Sequence, residues 1–151
     1  MSDTSRNLEL KSRAIAFHST NYVIRYMLDM GSIFNYDYEQ MMICLAISTS
    51  NIQGLMNSPE KFAPYASLEV VIPAELQRPV TRSAVTRATG LPRETVRRKA
   101  ASMIASGLLI ADERGGLRLA PGILSTETIA NLLAKNEANV RRLALQVSPT
   151  T

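Results

Sequence analysis

The chain has 151 residues, 46% of them apolar, with a formal net charge of +4 and a pI near 9.5. That length and apolar share exclude a disordered chain and allow one domain with its own core. The charge is unevenly placed: residues 1–75 carry five basic and eight acidic side chains and the remainder twelve and five, so the halves are net −3 and +7. A basic C-terminal half fits a polyanionic partner held by that half. Cys44 is the only cysteine, which excludes an intrachain disulfide and a cysteine-based metal site and suits a reducing, cytoplasmic compartment. The longest apolar run, "MMICLAI" at 41–47, is far too short to cross a bilayer. The opening "MSDTSRNLELKSR" lacks the basic-then-apolar order of a secretory signal. No membrane partner is expected.

In chain order, residues 5–30 predict a helix. Leu10, Ala14, Phe17, Asn21, Ile24 and Leu28 alternate at four and three and form one stripe. Leu8, Ile15, Tyr22 and Met27 widen it, and Gly31 is the expected stop. The stripe is either a wall of the chain's own core or a dimer seam. A second helix is predicted at about 37–56, with Asp37 and Gln40 in capping-box spacing. It is apolar nearly all round from Met41 to Ile47, so it should be central and buried.

Residues 57–80 hold four prolines. They read as a connection packing through Phe62, Tyr65 and Leu68, with a short extended piece at "LEVVI". "TRSAVTRATG" then predicts a short helix over 82–89 closed by Gly90. "LPRETVRRKAASMIASG" predicts a second, with Pro92 in its first turn and Gly107 at its end. "LLIADERGGLRLA" predicts a hairpin, closed by Pro121 and Gly122. A last helix is expected at about 125–146, starting at Ser125. Leu133, Asn136, Val140, Leu143 and Val147 keep the three-four spacing there. An Asn in each terminal stripe, Asn21 and Asn136, is the kind of polar residue that sets register between paired helices. Such pairing can run across a dimer or within one chain.

Short helix, glycine turn, basic helix and Gly-Gly hairpin is the order of a winged helix-turn-helix. Val96, Ala100, Met103 and Gly107 fall within about 40° of Val96 on a helix and should face the core. With Val96 at zero, Arg98 projects at about 200°, Glu94 at about 160° and Ala101 at about 140°, all outward. A major groove admits a helix whose N-terminal half contacts base edges, so Arg98, Glu94 and Thr95 are the expected base readers. Arg93, Arg97 and Lys99 are expected on phosphates. The hairpin adds Arg114 at its tip and Arg118 on the return strand. The plainer alternative is a solubilising tip, with Asp112 and Glu113 cancelling much of the charge.

These residues resemble a known family. "VTRATGLPRETVRRKAASMIASGLLI" followed by "RGGLRL", within residues 81–120, looks like the DNA-binding domain of bacterial transcription regulators of the GntR and MarR type. The frame from Gly90 to Arg97 and the "ASGLL" ending carry the likeness. "MMICLAISTSN" resembles the helix before the motif in some bacterial regulators. Thr86, Thr89 and Pro92 depart from the family pattern. The helix-first, helix-last layout is closer to MarR-type dimers than to GntR proteins.

An enzyme is not expected. His18 is the only histidine, so no Cys–His or Ser–His–Asp set can be assembled around a second one. Cys44 in its apolar run reads as an inert core thiol. No phosphate-cradling loop occurs, and neither a metal nor a cofactor is expected. Tyr22, Tyr26, Tyr36 and Tyr38 cluster with Met27, Met30 and Phe34, either as packing or around an apolar effector pocket.

The expected architecture is therefore mainly α, a single domain over 1–151. Helices at 5–56 serve the core or a dimer, 57–80 connects, 81–122 forms a winged helix-turn-helix with a two-stranded wing, and 123–147 holds the last helix. The expected function is a homodimeric regulator that binds duplex DNA. A winged-helix module that holds another protein is the alternative, and a regulator answering to a small-molecule effector is a third.

Overall fold

The computed structural model describes residues 3–148, with side chains from Lys11 onward. Those residues are mainly helical, with one two-stranded antiparallel sheet. Six α-helices are described: α1 (Asp3–Ile33), α2 (Tyr38–Met56), α3 (Pro59–Phe62), α4 (Arg82–Thr89), α5 (Arg93–Ala105) and α6 (Glu127–Val147). The strands are β1 (Leu109–Ala111) and β2 (Leu117–Leu119). Among the described residues no helix is long and apolar enough to cross a membrane. The chain divides into two compact units. One gathers the chain up to Tyr36 and from Asn131 onward, and the other is Asp37–Ala130. The two leading helices, grouped at 5–56 on periodicity, thus fall in different units.

In the first unit, α1 runs through Gly31 instead of stopping at it. The left-handed cap comes from Asn35 and Tyr36, at φ 51° and 62°. The Gly31 carbonyl accepts from the amides of Phe34 (3.0 Å) and Tyr36 (2.8 Å), which closes the helix end. The Tyr22 hydroxyl donates to Asn136 Oδ1 on α6 at 3.0 Å, and the Lys135 ammonium meets Asp29 Oδ1 at 2.7 Å. The Asn136 carbonyl oxygen is thereby engaged within the chain. Tyr22 also stacks on Tyr26, ring centroids 6.1 Å apart.

The predicted α1 stripe is only partly covered. His18, Asn21 and Tyr22 are half-buried, whereas Phe17, Ile24 and Leu28 are 63%, 52% and 53% exposed. The predicted positions Leu8 and Leu10 lie outside the described side chains. On α6, Leu133, Asn136, Leu143 and Val147 are half-buried as the spacing predicts, and Val140 is exposed.

In the second unit, Asp37 caps α2 as its spacing to Gln40 predicts, accepting from the Gln40 amide at 3.0 Å. Met41, Ile43, Cys44 and Ile47 are buried, but Met42 is exposed, so α2 is not covered all round. Val85 of α4, Val96, Ala100 and Met103 of α5, and Leu117 of β2 are fully buried with Ile43 and Ile47. Three of the four predicted inward positions of α5 are therefore buried, while Gly107 lies past the helix end and is exposed. Thr81 caps α4 through the Ala84 amide (3.1 Å), and Gly90 ends it at φ 71°. Pro92 lies just before α5 rather than inside its first turn, and Gly107 follows the helix at φ 79°.

Three details differ from the expectation. "LEVVI" forms no strand, and Leu68, Val70 and Val71 are exposed. The extended pairing belongs to Val80, which exchanges two backbone hydrogen bonds with Leu117 (3.0 and 2.8 Å) and so extends the hairpin's edge. Ser125 does not start α6: its hydroxyl donates to the Leu68 carbonyl at 3.0 Å, and the helix begins at Glu127.

Candidate nucleic-acid interface

Burial of Val96, Ala100 and Met103 fixes which way the rest of α5 points. Arg93, Glu94, Arg97 and Arg98 are exposed and Thr95 is half-buried. Farther along the same outer side come Ala101, Ser102 and Ala105, all exposed and all small. The outer surface of α5 therefore carries long cationic side chains on its N-terminal turns and almost no bulk behind them. Glu94 and Arg97 join in an exposed ion pair, Arg97 Nε donating to Glu94 Oε2 at 2.9 Å. The guanidinium beside it holds the Glu94 carboxyl below its ordinary range, and the carboxylate pushes Arg97 up in return. Arg98 makes no ion pair with a described residue.

Lys99 corrects its assignment. It was expected on a phosphate, yet it is only 9% exposed and its ammonium bonds the Asp37 carboxylate, with Glu39 at 3.4 Å. The reason is angular. Lys99 lies about 60° from Val96 by the helical period, on the buried edge, and its stem runs along the core to the N-terminus of α2. The Lys99 hydrogen bond, then the Gln40 amide, hold the Asp37 carboxyl below its ordinary range.

The hairpin is built on Asp112. Its Oδ1 accepts from the amides of Arg114 (2.9 Å) and Gly116 (2.8 Å), so this carboxylate organises the turn. Gly115 takes φ 78°, and a Cβ on Gly116 would fall 2.6 Å from both Asp112 Oδ2 and Pro79 Cβ. One glycine answers to conformation and the other to space. Arg114 is exposed at the tip. Arg118, opposite Ile110 in the ladder, is half-buried, and its Nε is buried with no hydrogen-bond partner. The structure thus gathers Arg93, Glu94, Thr95, Arg97 and Arg98 on α5 and Arg114 on the tip. It turns Lys99 inward and leaves Arg118 partly covered.

Three residues that orient these elements give little sign of it in the sequence. Asn51 is buried on α2; its Nδ2 donates to the carbonyls of Arg78 (2.8 Å) and Leu117 (3.1 Å), and its Oδ1 accepts from the Leu119 amide (3.2 Å). Arg82 Nη1 donates to the Gly115 carbonyl at 3.3 Å, linking α4 to the tip. Thr89 brackets the turn before α5, donating to the Val85 carbonyl (2.8 Å) and accepting from the Leu91 amide (3.3 Å). A lone Asn in an apolar helix is the only sequence signal for Asn51. Thr89, a departure from the family pattern, has this local role instead.

Compared with known proteins, the chain matches no family model, no curated protein and no solved structure.

Proposed function

We propose that the chain is a winged helix-turn-helix protein that binds duplex DNA as a homodimer and regulates transcription. The observation that carries this reading is the outer surface of α5. Arg93, Arg97 and Arg98 stand exposed near its N-terminus, with only Ala101, Ser102 and Ala105 behind them. A helix with that surface can approach base edges closely while its arginines reach guanine or phosphate oxygens. Glu94, poised by Arg97, can accept from a cytosine amino group. Arg114 extends the positive surface to the backbone beside the groove. With Lys99 engaged by Asp37, the grip rests on arginines alone.

The dimer reading is supported by the exposed α1 residues Phe17, Ile24 and Leu28, which keep the three-four spacing of a helix seam. Two copies would present two such helices to an inverted-repeat site. The test is affinity for duplex DNA against salt. Binding should weaken steeply as salt rises. Arg98→Ala should cost about 1–3 kcal/mol on the preferred sequence and relax specificity. Absence of duplex binding at low salt defeats the proposal.

A further inference from the structure

We infer that Arg82 is a positioning residue for duplex binding, fixing the hairpin tip so that Arg114 meets the phosphate backbone beside the groove. The inference rests on the DNA-binding reading and adds to it a residue that acts through Arg114 instead of on the duplex. Residues 79–82 run beside the return limb of the hairpin and meet it at three successive points. A Cβ on Gly116 would fall 2.6 Å from Pro79 Cβ, so these two residues approach closely. Val80 exchanges two backbone hydrogen bonds with Leu117. Arg82 Nη1 donates to the Gly115 carbonyl at 3.3 Å, at the residue next to Arg114.

The hairpin's own bonds shape its turn without aiming it. The Gly115 amide donates to the Asp112 carbonyl at 2.9 Å, and Asp112 Oδ1 takes the Arg114 and Gly116 amides. The strands behind that turn pair over three residues each. A two-stranded ribbon that short does not hold its own direction. Arg82 supplies a tie from outside the hairpin. It stands in the first turn of α4, which packs against α5. The tip is thereby held to the same helix pair that presents Arg93, Arg97 and Arg98. Arg82 is half-buried and has no ion pair with a described residue, although Asp112 and Glu113 lie in the same turn. Its guanidinium is engaged by the carbonyl instead. An arm fixed before binding does not have to be ordered on binding, so the Arg114 contact keeps more of its strength.

The experiment is a double-mutant cycle on duplex affinity, measured against salt for the natural chain, Arg82→Met, Arg114→Ala and the double variant. Methionine keeps an unbranched stem and removes the donor. Arg82→Met and Arg114→Ala should each weaken binding about three- to tenfold. The double variant should lie within about twofold of Arg114→Ala, because the first change acts through the second residue. The salt slope should be shallower by about 0.9 in Arg114→Ala and by no more than that in the double variant. A loss of stability alone would leave the two losses additive. Arg82→Gln, shorter and polar, is the second variant and should show the same coupling. In the free chain the Gly115 and Gly116 amides should exchange at least about tenfold faster in either Arg82 variant, while the Val96 amide keeps its rate. The inference is overturned by additive losses, by a double-variant slope shallower by about 1.8, by natural affinity in Arg114→Ala or in both Arg82 variants, or by unchanged exchange at the tip. A natural chain that binds no duplex at low salt defeats the DNA reading and this inference with it. Uncoupled variants of a chain that does bind defeat this inference alone.

Discussion

At Lys99 the chain sets an ammonium against two carboxylates from the start of α2, one residue after Arg98 turns outward. The helical period places Lys99 about 60° from Val96, toward the inward edge, as it does Arg93 on the other flank, which stays exposed in the first turn. The partner is not visible, because Asp37 lies 62 residues away. Asp37 does two jobs, capping α2 and pairing Lys99, and Asp37→Asn separates them, since Asn still caps. The loss at pH 7 should be about 1–2 kcal/mol, read as a lower Tm. The folded carboxyl is depressed, so its stabilisation is present above the unfolded value of about 4 and is lost as pH falls through the folded value. The Tm gap between the variant and the natural chain should therefore close as pH drops below about 4. A gap unchanged in strong acid would show that the ion pair is not its source.

Among the elements, those with strong local signals are legible in the sequence: the Asp37 cap, the Gly90 turn, the inward ladder of α5, and the hairpin with its two glycines. Each rests on residues within one helix or one hairpin. Contacts made across long stretches of chain are not legible. Val80 pairs with Leu117 through backbone groups, which no side-chain pattern announces. "LEVVI" has strand composition and forms no ladder, so composition alone does not make it a strand. Asn51 is the sharpest case: one amide joins α2, the segment before α4, and β2. Asn51→Ala leaves the Arg78 carbonyl and the Leu119 amide without that partner. It should cost about 2–4 kcal/mol in urea unfolding. A loss below about 0.5 kcal/mol, the size of an ordinary surface change, would refute its role as a linchpin.

For the whole molecule, the α1 stripe is apolar as its spacing predicts, and that spacing does not say what covers it. α6 takes the side marked by Tyr22 and Asp29, and the members at Phe17, Ile24 and Leu28 stay exposed. Covering the exposed parts of these three offers on the order of 1 kcal/mol each per copy. Sedimentation should therefore give twice the 16.6 kDa chain mass, and the double change Ile24→Glu, Leu28→Glu should give one chain mass with weaker operator binding. A natural chain that sediments as a monomer at DNA-binding concentrations removes the two-fold reading.

Burial pushes the Cys44 thiol up to about 12, and the side chain sits inside the unit that carries α5. At pH 8 about one thiol in ten thousand is ionised, so a thiol reagent reaches it only when that unit opens. The single thiol is thus a stopwatch for one half of the molecule, silent about the helices at the chain ends. In Asn51→Ala the labelling rate should rise about 30- to 1000-fold, the same loss expressed as time. Bound duplex should slow the same clock by the factor with which it stabilises that unit.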